Sequence, residues 1–121
     1  AVVFMGHGTH HPANAFYCAL MFQAQLKDPN IFIGTVEGYP GLDHIEPMLK
    51  AKKIKTVWLM PFMSVAGDHA KNDMAGDEDD SWKSVLTKSG FECKTILKGT
   101  AEFDEFVKIW VDHIKGPLSH F

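Results

Sequence analysis

Met5-Gly6-His7-Gly8-Thr9-His10-His11-Pro12-Ala13-Asn14 decides how this chain is read. The apolar run Ala1-Val2-Val3-Phe4 precedes it, and a long apolar helix begins near Ala13. A buried strand feeding a glycine-flanked loop is where α/β proteins place their chemistry. Three histidines in five positions add weight, since neutral imidazole is at once a base, a metal ligand and a proton carrier. Gly6 and Gly8 clear space around His7 and permit backbone angles closed to other residues. For His10 and His11 a solvated turn is as good an account as function; for His7, between two glycines, function is the better one.

Outward from this stretch the pattern repeats. Val2 to Met5 is strand one. A helix carrying Ala15-Phe16-Tyr17-Cys18-Ala19-Leu20-Met21-Phe22 follows, apolar nearly all round, and Asp28-Pro29-Asn30 ends it. Such a helix wants cover on every side, and one small sheet covers one face, so a second domain or subunit is expected against it. Ile31 to Val36 is strand two. A helix with Leu42, Ile45, Met48 and Leu49 on one face comes next, with Pro47 expected near its start. Ile54 to Pro61 is strand three, and residues 62–76 form the longest loop, of a length that signals function or disorder. Asp77-Glu78-Asp79-Asp80 is expected to open a third helix, its carboxylates complementing the macrodipole, with Trp82, Val85 and Leu86 inward. Gly90 closes that helix, and Phe91 to Leu97 is strand four. Thr100 is expected to cap a last helix whose core stripe is Phe103, Phe106, Val107, Trp110 and Ile114, stopped by Gly116-Pro117.

The order βαβαβαβα implies an α/β fold: a parallel sheet with helices on both faces. Its 121 residues suffice for one α/β domain spanning 1–121. Ala1 already lies in strand one, so an earlier segment is expected before it. The 45% apolar and 22% charged content is that of a soluble globular protein, and no apolar run is long enough to span a bilayer. All twelve basic residues are lysine and the net charge is −3, which leaves little to grip phosphates and argues against nucleic acid. Cys18 and Cys93 make neither a disulfide framework nor a CxxC metal site. They fit a reducing compartment, hence the cytoplasm, with the periplasm as the alternative if a signal peptide preceded Ala1.

Parallel strands point their C-terminal ends at one rim, where ligands bind. His7 follows strand one, Glu37 follows strand two, and His69 lies in the loop after strand three. In the sheet order 2-1-3-4, strand one lies between the other two and these side chains can converge. Two imidazoles and a carboxylate make an open site for a divalent first-row metal. The plainer alternatives are a solvated Asp68–His69 loop pair and a Glu37 that anchors its own turn.

The rim motifs, together with Val36-Glu37-Gly38-Tyr39-Pro40, Met60-Pro61-Phe62-Met63 and the run Ala66 to Gly76, resemble the anaerobic cobalt chelatases of the CbiK type. The likeness covers almost the whole chain. It implies a class II chelatase fold in which two similar α/β halves enclose a tetrapyrrole, this chain resembling the C-terminal half. The implied activity is insertion of Co(II) into sirohydrochlorin in cobalamin synthesis, with Fe(II) or Ni(II) as other metal substrates. The implied metal-facing and catalytic residues are His7, Glu37 and His69; the implied partners are sirohydrochlorin and either the missing N-terminal half or a second copy. The competing readings are a non-catalytic metal- or tetrapyrrole-binding module and a metal-dependent hydrolase.

Overall fold

The computed structural model describes residues 1–118. Four strands, β1 (Val2–Gly8), β2 (Ile31–Glu37), β3 (Thr56–Pro61) and β4 (Glu92–Thr95), form one sheet in the order β2-β1-β3-β4 with all pairings parallel. Four helices alternate with them: α1 (Ala15–Lys27), α2 (Leu42–Ala51), α3 (Trp82–Lys88) and α4 (Asp104–Leu118). The expected fold class and strand order are those observed.

Register assigns the two faces. Val3 pairs with Phe32 and with Leu59, so these three point one way, with Met5 and Val57 beside them. That face is fully buried under Ile45 and Leu49 of α2 and Trp82 and Leu86 of α3. At Gly34 the helices come so close that an added Cβ would lie 2.9 Å from the Trp82 ring and 3.3 Å from Ile45. The opposite face carries Phe4, Ile33, Trp58 and Met60. Here α1 packs over β1 and β2: the Ile33 N–H donates to Met21 Sδ at 3.3 Å, and the Tyr17 ring occupies the space a side chain at residue 6 would need.

This second face is incompletely covered. Phe16 (75%) and Leu26 (73%) on α1 are exposed, as is Phe22, so the cover expected for this helix is not supplied by the described residues. The C-terminal helix departs from expectation. Phe106 reaches the sheet flank through Phe62, ring centroids 6.2 Å apart, and Phe62 in turn meets Phe4. Beyond that point Trp110 (42% exposed) and Ile114 (59%) stand in solvent, not in a core, and the helix runs through Gly116 and Pro117 to Leu118. The apolar stripe is present, but the sheet beneath it ends before the helix does.

Other local readings shift for identifiable reasons. The acidic run does not open α3. Ser81 caps it, its Oγ accepting the Ser84 N–H at 3.1 Å, because serine is a strong N-cap. Asp77 and Asp79 lie before the helix and pair with Lys83 and Lys88 at 3.0 and 2.8 Å. Pro47 lies in the second turn of α2, not the first, and forgoes one helical hydrogen bond. Strand β4 is shorter than the run 91–97. Thr100 starts a 3-10 turn, Thr100–Glu102, ahead of α4, closed by Glu102 Oε2 accepting the Gly99 N–H at 2.8 Å. No helix among the described residues is long and apolar enough to cross a membrane.

Candidate metal-handling site

The sheet's C-terminal rim is built from the ends of β1, β2 and β3. β1 does not stop at Met5 as its composition implies; it continues to Gly8, with Gly6 opposite Thr35 and Gly8 opposite Glu37. His7 is therefore the exposed last-but-one residue of a strand, between Gly6 and Gly8 that pair with β2, and not a loop residue. Gly8 and Gly38 both adopt positive φ, +79° and +82°. A Cβ on Gly8 would lie 1.9 Å from the Glu37 carbonyl oxygen, so only glycine permits the two strand ends to approach this way.

His69 reaches the rim differently. It begins a π-helical turn, His69–Met74, inside the segment 62–76. Single π turns of this kind recur at functional sites. Ala70 and Met74 of the turn are fully buried and anchor it to the core. The His7 and His69 rings meet edge to face, with centroids 4.7 Å apart and planes at 83°.

Hydrogen bonding fixes the tautomer of each ring. His7 Nδ1 lies 2.9 Å from the Gly8 carbonyl oxygen, which can only accept, so Nδ1 carries the proton. His69 Nδ1 lies 2.5 Å from Asp73 Oδ2 and donates in the same way. In both rings the neutral form thus keeps the Nε2 lone pair for a proton or a metal ion. A carboxylate behind an imidazole also fixes its orientation, the arrangement found behind metal-bound histidines.

Glu37 ends β2 on the same rim, exposed and paired with Gly8. The structure brings His7 and His69 together. It does not gather Glu37 with them, for among the described residues no three His, Cys, Asp or Glu side chains stand close enough to hold a metal ion. Two imidazole nitrogens with open positions suit a metal that must be released, whereas a closed four-ligand site would retain it.

Two residues were missed by sequence reasoning. Asp73 orients His69, and its i,i+4 spacing from that histidine was the available signal. Asn14, 6% exposed, accepts the Thr9 N–H through Oδ1 at 2.8 Å and donates Nδ2–H to the Tyr39 carbonyl at 2.5 Å. It ties the β1–α1 loop to the β2–α2 loop. Although it directly precedes α1, its side chain makes no cap bond to that helix.

Comparison with known proteins gives the family. The chain is 52% identical over 119 residues to the sirohydrochlorin cobaltochelatase CbiKC of Nitratidesulfovibrio vulgaris, an alignment covering 98% of this chain and 42% of that protein. It is 39% identical over 118 residues to the sirohydrochlorin cobaltochelatase of Salmonella typhimurium, covering 98% and 45%. The chain thus spans less than half the length of these curated relatives. The family model described as cobalt chelatase (CbiK) matches residues 1–118. The chain belongs to the CbiK cobalt chelatase family.

Proposed function

We propose that this chain is the C-terminal, metal-facing α/β half of a sirohydrochlorin cobaltochelatase. The observation that carries this reading is the His7–His69 pair, two imidazoles 4.7 Å apart whose Nδ1 atoms are both engaged and whose Nε2 atoms are both available. The sirohydrochlorin specificity named for the two relatives supplies the substrate. Co(II) is the metal substrate; Fe(II) and Ni(II) satisfy the same nitrogen donors and serve as comparison ions.

Insertion exchanges two pyrrole N–H protons for one dication and involves no redox change. The Nε2 lone pair of one histidine takes the two pyrrole protons in turn, passing the first to solvent before it takes the second, while the other directs the metal toward the ring nitrogens, a general-base role for which imidazole is suited near neutral pH. When His69 is the base, Asp73 stands behind the imidazolium that forms. Glu37, on the adjacent strand end, supplies negative charge toward the incoming dication beside the His7–His69 pair.

The exposed apolar flank supports the same reading. Phe16, Leu20, Phe22 and Leu26 on α1, and Ile109, Trp110 and Ile114 on α4, are the surface a second α/β half would cover, closing the cleft over the rim. A second copy of this chain is the other candidate for that surface. The work belongs in the cytoplasm, where neither Cys18 nor Cys93 is called on to form a disulfide.

The test is cobalt insertion by the full-length protein, followed by the visible absorbance change of sirohydrochlorin. His7→Ala and His69→Ala are expected to abolish it with the circular dichroism spectrum retained. Insertion at wild-type rate in either variant would remove the site. Tight binding of metal and macrocycle with no acceleration of insertion would make this a carrier instead of an enzyme.

A further inference from the structure

His10 and His11 take no part in the site above, yet they line a cavity of about 410 Å³ on the same rim, between the β1–α1 and β2–α2 loops, with Asn14, Cys18 and Tyr39 around it. We propose that this cavity seats a carboxylate arm of the macrocycle, gripped by the His10 and His11 imidazoles, and that it thereby sets the orientation of the ring over His7 and His69. This rests on the chelatase reading, which makes the substrate a polycarboxylate.

Three features select an acid group. First, His11 Nδ1 accepts the Ala13 N–H at 3.0 Å, so in the neutral ring the proton sits on Nε2. His11 thus offers a donor N–H, which suits an anion; a metal ion would need the lone pair that Ala13 already uses. Second, the cavity's lining among the described residues includes no Asp or Glu, so nothing there repels a carboxylate. Third, all the chain's lysine and arginine positions are lysine and none lines the cavity, leaving the two imidazoles as its basic groups, with the Thr9 and Tyr39 hydroxyls as further donors.

The cavity is also preformed. Asn14 spends both ends of its amide on the Thr9 N–H and the Tyr39 carbonyl, fixing the two loops as walls. Its position suits a peripheral arm: His10 is three residue steps along the chain from His7, a span of at most about 11 Å. A ring centred on the histidine pair therefore reaches the cavity with its edge.

The experiment is binding of metal-free sirohydrochlorin to the full-length protein by absorbance titration, alongside the neutral methyl ester of the same macrocycle. His10→Ala and His11→Asn are used singly and together. Asn at 11 keeps an acceptor for the Ala13 N–H, so the loop is held while the Nε2 donor is lost. The double variant is expected to bind the acid about tenfold or more weakly, as fits the loss of hydrogen bonds to a charged group. It should bind the ester as wild type does, and His10→Lys should restore most of the single loss. Unchanged affinity for the acid, or equal loss for acid and ester, overturns the proposal. So does a loss of Co(II) affinity with acid binding intact, which would make the cavity a metal port. Wild-type binding with indifferent variants sinks the cavity alone; a wild type that does not bind sirohydrochlorin sinks the chelatase reading with it.

Discussion

Asn14→Ala is the most informative single change outside the histidines. The side chain is nearly inaccessible, and its removal leaves the Thr9 N–H and the Tyr39 carbonyl without their partner at the junction of two loops. An orphaned, fully buried polar group costs about 1–3 kcal/mol, or about 2–6 kcal/mol for two; both groups here are part-buried, so water recovers some of this and leaves about 2–4 kcal/mol. With a urea m value of about 2 kcal/mol/M, the unfolding midpoint should fall by about 1–2 M. Tryptophan fluorescence is a suitable probe because Trp82 is buried in the core. Asn14→Asp should fall between, since it keeps the acceptor for Thr9 but sets an oxygen against the Tyr39 carbonyl. The rim should loosen too, with faster hydrogen exchange at Thr9. A midpoint shift below about 0.3 M for Asn14→Ala would mean that water replaces both bonds, and the account of Asn14 as the tie between the loops would be wrong.

Other predictions test the site and the surface. His7→Ala and His69→Ala should each lower cobalt insertion by at least about 100-fold, read as the initial rate of the sirohydrochlorin absorbance change, since each removes a base or ligand. Asp73→Asn should reduce cobalt affinity or insertion rate by about 10–100-fold, measured by calorimetric titration and by rate, because it keeps an acceptor for His69 but loses the charge behind it. Glu37→Gln should cost less than either histidine; an unchanged rate and metal affinity would return Glu37 to the role of a strand-end turn residue. The isolated chain should self-associate at micromolar concentration in analytical ultracentrifugation, since burying each large apolar side chain of the α1 and α4 faces is worth about 1.5–3 kcal/mol; a clean monomer that still inserts cobalt would sink the partner-half argument.

The alternation of β-branched runs with helical apolar stripes implied a parallel sheet whose strand ends, with His7, Glu37 and His69 after them, share one rim, because strand direction and crossover hand follow from local pattern and chirality; the order 2-1-3-4 does not follow from that pattern and is decided by the tertiary structure. Motif content also identified the family from residues alone. What the sequence left open depends on through-space distance. Whether His7 and His69 touch is decided by the β1–β3 register and by a π turn that no periodicity announces. Which nitrogen of each ring stays free is decided by the Gly8 carbonyl and the Asp73 carboxylate. Asn14 as a loop tie, Ser81 in place of the acidic run as the cap, and the cavity beside His10 and His11 are products of packing between segments. The stripe on α4 makes the same point in reverse: its pattern is that of a buried helix, but burial requires a surface opposite, and past Phe106 the described sheet offers none. Periodicity records which face of a helix seeks cover, while only the assembled fold decides what, if anything, lies against it.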